Sequence, residues 1–222
     1  IRNLKSEIKI RLAFSKTDNM KYIGHLELVT AFSRAIRRAG IPIRYSKGFH
    51  PLPEMVFSPP LSVGIESIAE HVDIELDGYV MPEDVKILLN KELPCGLKIL
   101  DAKEISLKLK KMSASIKENT YIIFLRDNSI TLSERGIKDS IEEFLKKDNV
   151  IIRQKRDDKE REIDIRHLVK DIILKSDYTI QLTLVSSERG MAKPQEVIAG
   201  IFNIPQDTSS CFQILKITQK MQ

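Results

Sequence analysis

Near the start of the chain Ile8, Ile10, Leu12 and Phe14 alternate with Lys9, Arg11 and Ala13. A period of two predicts a strand with one face on a core. From Gly24 to Ala39 the spacing changes: Leu28, Phe32, Ala35 and Ala39 recur at helical intervals, and Gly40 supplies the stop. Ile41 to Tyr45 is a short β-prone run, and Ser46 to Pro53 is a loop rich in glycine, proline and aromatics. Met55 to Phe57 and Ser62 to Gly64 read as extended, broken by Pro59-Pro60. Val72, Ile74 and Leu76 then alternate with Asp73, Glu75 and Asp77, which predicts a strand whose second face is polar and solvated. Pro82 suits the first position of a helix running to about Leu93, and Leu97 to Ala102 closes with a strand.

The second half reads as a repeat of the same order. Thr120 to Leu125 is a strand, and Ser133 caps a helix to Lys147 with Ile137, Ile141, Phe144 and Leu145 on its apolar stripe. Val150 to Gln154 is a strand, followed by a polar hairpin through 155–161 and a return strand around Glu162 to Ile165. His167 to Lys175 fits a short helix or a linking segment. Tyr178 to Val185 alternates cleanly, Pro194 opens a helix to Phe202, and Phe212 to Ile217 is a final strand. The expected class is α+β, with two tandem ferredoxin-like (βαββαβ) units built on antiparallel sheets. The lysine-rich piece Lys108 to Lys117 divides them, giving an N-terminal unit over 1–107 and a C-terminal unit over 118–222.

Composition narrows the function classes. No stretch approaches the roughly 20 uninterrupted apolar residues of a spanning helix, and Ile1 to Ile10 lacks the apolar run of a signal peptide, so a cytoplasmic protein away from membranes is expected. Two cysteines, Cys95 and Cys211, are too few for an iron–sulphur cluster or a structural zinc site, and they fit a reduced compartment. No cofactor is expected. The formal charge is +5, and it is unevenly spread. Residues 1–58 carry eleven Lys/Arg against four Asp/Glu, whereas 59–104 carry four against ten. The basic segment points to a polyanionic partner.

That segment holds the most distinctive chemistry. Arg34, Arg37 and Arg38 are neighbours at i, i+3 and i+4, a row of permanently charged forks suited to phosphate. The same row also fits a solvated helix face near the negative end of the helix dipole. Tyr45, Lys47, Phe49 and His50 mix aromatic faces with positive charge, the combination that stacks unpaired bases beside a neutralised backbone. The other reading of this loop is a stiff connector with Phe49 plugging the core. His25, in line with Leu28 and Phe32, fits a packed residue or a catalyst. If the chain cleaves RNA without metal, Tyr22, His25, Lys47 and His50 are the residues able to supply base, acid and cation. Glu70 beside His71 is a candidate partner for the basic helix, and Asp164-Ile165-Arg166 reads as an internal ion pair.

These residues resemble a known family. Arg11, Phe14, Lys16, Tyr22, His25-Leu26-Glu27-Leu28, Arg34, Arg37-Arg38-Ala39, Pro42 and Tyr45 to Pro51 carry the likeness. Phe57, Pro60-Leu61, Gly64, Ser67, Glu70 and Asp73 continue it, as do Asp164-Ile165-Arg166 and Pro194 with Glu196-Val197. The family is the uncharacterised DUF2344-type bacterial domain found beside, or fused behind, cobalamin-type radical SAM proteins. Gly24 and Glu27 depart from it, since the family more often carries Ser and Asp there. The resemblance implies a radical SAM partner and a setting near ribosomal proteins and a ribonuclease. The order of elements is also similar to the RAMP/Cas6-like proteins that process CRISPR RNA. The resulting expectation is a non-catalytic accessory protein that binds ribosomal or transfer RNA, or presents a polyanionic substrate, to a radical SAM enzyme. A metal-independent endoribonuclease and a protein–protein adaptor stand as alternatives.

Overall fold

Among the described residues, ten strands and five α-helices fold from this pattern, in two compact units, Ile1–Ser115 and Ile116–Gln222. The computed structural model describes residues 7–109, 112–125, 133–156, 159–176, 178–187, 191–204 and 212–221. The architecture is α+β with antiparallel strand pairing throughout the named ladders.

In the first unit β1 (Glu7–Lys16) is followed by a 3₁₀ turn (Asp18–Tyr22) and α1 (His25–Arg38). Then come β2 (Met55–Phe57), β3 (Glu66–Asp77), α2 (Pro82–Glu92) and β4 (Leu97–Ile105). Strand β1 pairs with β3 and β4, and β2 pairs with the other side of β3, so the order across the sheet is β4-β1-β3-β2. Ile8, Ile10, Leu12 and Phe14 from β1 bury against Leu28, Phe32, Ala35 and Ile36 of α1 and Val85 and Leu89 of α2. Phe14, Phe32 and Phe57 meet edge to face with centroids 5.0 to 6.1 Å apart. Gly96 carries the turn into β4 at φ +89°, and a Cβ there would lie 2.6 Å from the Thr17 carbonyl, so only glycine fits.

The polar face of β3 is a correction. Expected to be solvated, Asp73 is 2% exposed and forms a two-pronged ion pair with its cross-strand neighbour Arg11, at 2.7 and 2.9 Å. Glu75 faces Lys9 in the same register and also takes Arg44, which reaches Glu54 and Glu7 as well. Pairing β1 with β3 thus sets the basic strand against the acidic one.

Within the expected linker, Met112–Ser115 forms a short helix, α3, with Met112 buried. Lys110 and Lys111 lie outside the described residues, as does Cys211; Cys95 is a free, exposed thiol.

The second unit comprises β5 (Ile116–Leu125), α4 (Glu134–Lys146), β6 (Ile151–Arg156), β7 (Lys159–Asp164), β8 (Val169–Ser176), β9 (Thr179–Val185), α5 (Pro194–Phe202) and β10 (Phe212–Met221). Its main ladder runs β10-β5-β9-β8. Ser133 caps α4 by accepting the Gly136 N–H. One expectation changes here. Val169–Ser176, expected as a helix or link, is the strand β8, because Val169 and Ile172 bury against the β9 face while Lys170 and Asp171 stay exposed. The strands β6 and β7 pair with each other as a separate ribbon, the hairpin expected over 150–165.

Asp164 does not pair with Arg166 as expected. Its Oδ1 accepts the backbone N–H groups of Val150 (2.8 Å) and Arg166 (3.0 Å), and the Arg166 fork donates to the Leu145 and Val169 carbonyls. Burial opposes ionisation of Asp164, but these hydrogen bonds and His167 outweigh it and hold the carboxyl below its ordinary range.

Candidate nucleic-acid interface

The geometry of α1 separates the three arginines. Leu28, Phe32, Ala35 and Ile36 take the buried stripe, which leaves Arg34, Arg37 and Arg38 exposed. Arg38 is committed to structure. Its Nε lies 2.8 Å from Glu92 Oε2 and its Nη2 donates to the Glu92 carbonyl, tying α1 to the end of α2. The side chains of Arg34 and Arg37 make no hydrogen bond or ion pair with any described residue.

The loop beyond Ile43 is closed at its base. Tyr45 bridges Pro53, the Ser46 N–H donates to the Leu52 carbonyl at 2.8 Å, and the Ser46 hydroxyl accepts the Leu52 N–H at 3.0 Å. The tip is thereby presented to solvent. Phe49 is fully exposed rather than plugging the core, Tyr45 is 42% exposed, and Lys47 and His50 are exposed too. None of Lys47, Phe49 and His50 contacts a described residue by hydrogen bond, ion pair or ring contact, nor does any such contact join the loop to the α1 arginines.

Subtracting the ion pairs explains the charge imbalance seen in the sequence. Lys9 and Arg11 pair across to β3, Lys21 sits 3.4 Å from Glu66, Arg38 holds Glu92, and Arg44 holds an acidic trio. Lys16 lies buried near Glu70. Among the described basic residues of 7–58, the cations left facing solvent without an acidic partner are Arg34, Arg37 and Lys47.

Tyr22 and His25 belong to a different place. Tyr22, 62% exposed, lies under the Lys21 ammonium at 5.5 Å. His25, in the first turn of α1, packs edge to face on Phe57 at 5.6 Å. The N-cap is Gly24, so it has no side-chain oxygen to cap the helix, and Glu27 instead reaches back to accept the Gly24 N–H at 2.7 Å. Tyr22 and His25 make no hydrogen bond, ion pair or ring contact with Lys47 or His50.

Sequence reasoning missed the crevice behind His25. Phe14, Lys16, His25, Leu28, Phe57, Ser58, Pro59, Pro60, Leu61 and Glu70 line it. Glu70, 3% exposed, accepts the hydroxyls of Ser58 (3.0 Å) and Ser67 (2.8 Å). Lys16, 2% exposed, donates from Nζ to the Ile23 carbonyl at 2.8 Å. Burial lowers the Lys16 pKa from its ordinary value, against the pull of Glu70 and Glu27. The available signal was the placement of Lys16 and Glu70 among apolar alternating positions of two strands that pair.

No group of three or more metal-ligating side chains stands together among the described residues, and no described helix is long and apolar enough to cross a membrane. Residues 9–194 match a family described as "Uncharacterized protein conserved in bacteria (DUF2344)". No curated protein matches the chain. Among solved structures, the chain is similar to a protein in the crystal structure of a Cbf5-Nop10-Gar1 complex, with 11% identity and a TM-score of 0.48 over 96% of this chain and 48% of that one. It is similar also to a chain of the archaeal box H/ACA sRNP Nop10-Cbf5 complex, with 10% identity and a TM-score of 0.43 over 93% of this chain and 46% of that one. The chain therefore spans about half the length of these solved chains.

Proposed function

We propose that this chain, which belongs to the DUF2344 family of uncharacterised proteins conserved in bacteria, is a non-catalytic module that binds single-stranded RNA. One observation carries the reading: among the described residues of the basic segment, the solvent-facing cations without an acidic partner are Arg34, Arg37 and Lys47, and Lys47 shares its loop with a fully exposed Phe49. A fully solvated phenyl ring leaves its apolar area in water and adds nothing to core burial. Beside Lys47 and His50, with Tyr45 at the loop base, it is a stacking platform next to a phosphate contact. Arg34 and Arg37 add two forks for the backbone.

The β4-β1-β3-β2 and β10-β5-β9-β8 orders support reading both units as ferredoxin-like, with the β6–β7 ribbon inserted in the second. The radical SAM partner implied by the family resemblance enters here as the enzyme that would act on the bound RNA, in the cytoplasm. Cleavage by this chain is the weaker reading, because Tyr22 and His25 share no hydrogen bond, ion pair or ring contact with Lys47 and His50.

The test is the affinity of the full chain for a labelled single-stranded RNA across a salt series. Three phosphate contacts give a slope of log K against log salt of about −2, so a fourfold rise in salt weakens binding about twentyfold. Absence of binding at low salt, or binding indifferent to salt, contradicts the proposal.

A further inference from the structure

The ladder β10-β5-β9-β8 ends on a strand with one neighbour. Among the described residues β8 pairs with β9 alone, so its outer edge leaves backbone N–H and C=O groups without a strand partner. Beside that edge an open groove of about 430 Å³ runs between β8 and α4. Its floor is apolar, with Ile141 and Ile172 buried and Leu145 and Leu174 reached by solvent. The RNA reading uses none of these residues.

An edge of this kind accepts another strand, and its side chains decide which one. Lysines on an edge ordinarily repel an approaching strand. Here Lys170 is engaged by Glu118, 2.6 Å away. Asp171 and Lys175 are exposed, make no ion pair with a described residue, and stand two positions either side of Ile173. An antiparallel copy of the same strand, centred on Ile173, therefore sets Asp171 against Lys175 twice. Ile172 then lies opposite Leu174, and Ile173 opposite itself. One residue out of register, Lys170 would meet Lys175 and the match is lost, so the charges fix the alignment. The α4 side of the groove is complementary in the same sense. Lys138 and Glu142 are exposed there without ion partners among the described residues, one turn apart, so a copy running the other way offers each its opposite.

We propose that β8 is the contact surface of a twofold homodimer, in which two copies pair β8 to β8, antiparallel about Ile173. The partner that fits this edge is a second copy of the chain, because the edge is complementary in charge to itself. Regular register with β9 spans only Asp171–Leu174, so the paired edge is short. A contact of that size belongs at the low end of interface areas, and its dissociation constant is expected to be on the order of micromolar. The inference is independent of the RNA reading, although a dimer carries the Arg34, Arg37 and Lys47 surface twice.

The experiment is sedimentation velocity of the full chain without RNA, over about 1 to 100 μM. The wild type is expected to pass from monomer towards dimer across that range. Asp171→Lys and Lys175→Asp each set like charges together at both ends of the pairing, and each is expected to weaken self-association about tenfold or more. Neither side chain has an ion partner to lose within the described chain, so both variants should melt with the wild type. Mixing the two variants restores opposite charges at both ends, and a mixed dimer is expected where neither variant pairs alone. A wild type that stays monomeric throughout overturns the proposal. So does a dimer indifferent to both substitutions, which would use another surface. A mixture that stays monomeric while the wild type pairs overturns the Asp171–Lys175 alignment on which the proposal stands.

Discussion

Asp73→Ala is expected to remove about 3–5 kcal/mol of folding stability, the largest effect of any single substitution considered for this chain. Asp73 and Arg11 face one another across β1 and β3, both nearly sealed from water, joined by two hydrogen bonds of 2.7 and 2.9 Å. Removing the carboxylate leaves a guanidinium that cannot neutralise itself and has lost the two charged hydrogen bonds that offset much of its desolvation. A thermal or denaturant melt of the variant reads the loss directly, as a fall in midpoint of roughly 10 °C or more. The double variant Arg11→Met, Asp73→Leu separates the cost of the stranded charge from the worth of the pair. Apolar residues of similar volume need no ion partner, so most of the lost stability returns. A loss below about 0.5 kcal/mol in the single variant is the behaviour of an exposed site and would contradict the buried pairing.

The second large effect is on binding. Replacing Arg34, Arg37 and Lys47 together by Glu is expected to lower RNA affinity near a hundredfold at low salt, at about 1 kcal/mol or more for each contact removed. The salt slope should fall towards zero, since the variant no longer displaces counterions at those positions. Because the three side chains make no hydrogen bond or ion pair with described residues, the melt should move little. Arg38→Glu is the informative contrast. Arg38 ties α1 to Glu92, so reversing it places two carboxylates together and is expected to lower stability more than it lowers the salt slope. Unchanged affinity in the triple variant would mean that some other surface carries the charge-driven binding.

Particular elements show what was legible in the sequence. The strand with Ile8, Ile10, Leu12 and Phe14 and the helix with Leu28, Phe32 and Ala35 were readable because each buries one face, and burial of one face leaves a period in the chain. The run Ile172-Ile173-Leu174 was misread because a short apolar cluster flanked by charges has no period, and only pairing with β9 settles it as a strand. The charge pattern misled for a related reason. Asp73 alternates with buried residues as a solvated carboxylate would, and the residue that buries it, Arg11, is 62 positions away. Arg38 was indistinguishable from Arg34 and Arg37 on the helix, since its partner Glu92 belongs to another element. The openness of the 45–53 loop was readable from its glycine and prolines, but the full exposure of Phe49 was not, because an aromatic in a loop packs inward as readily as it faces out. The Lys16–Glu70 crevice is the product of one strand pairing and one helix start meeting, and its one local mark is that Lys16 and Glu70 fall in step with the buried positions of β1 and β3.

The central claim is that RNA lies against the loop that carries Phe49. Irradiating the wild-type chain with a 4-thiouridine-substituted single-stranded RNA, then digesting it and mapping the adducts by mass spectrometry, tests this most directly. Adducts concentrated on Tyr45 or Phe49, and competed away by unlabelled RNA, are the predicted result. Competed cross-links that fall elsewhere and leave residues 45–53 unmodified would contradict it.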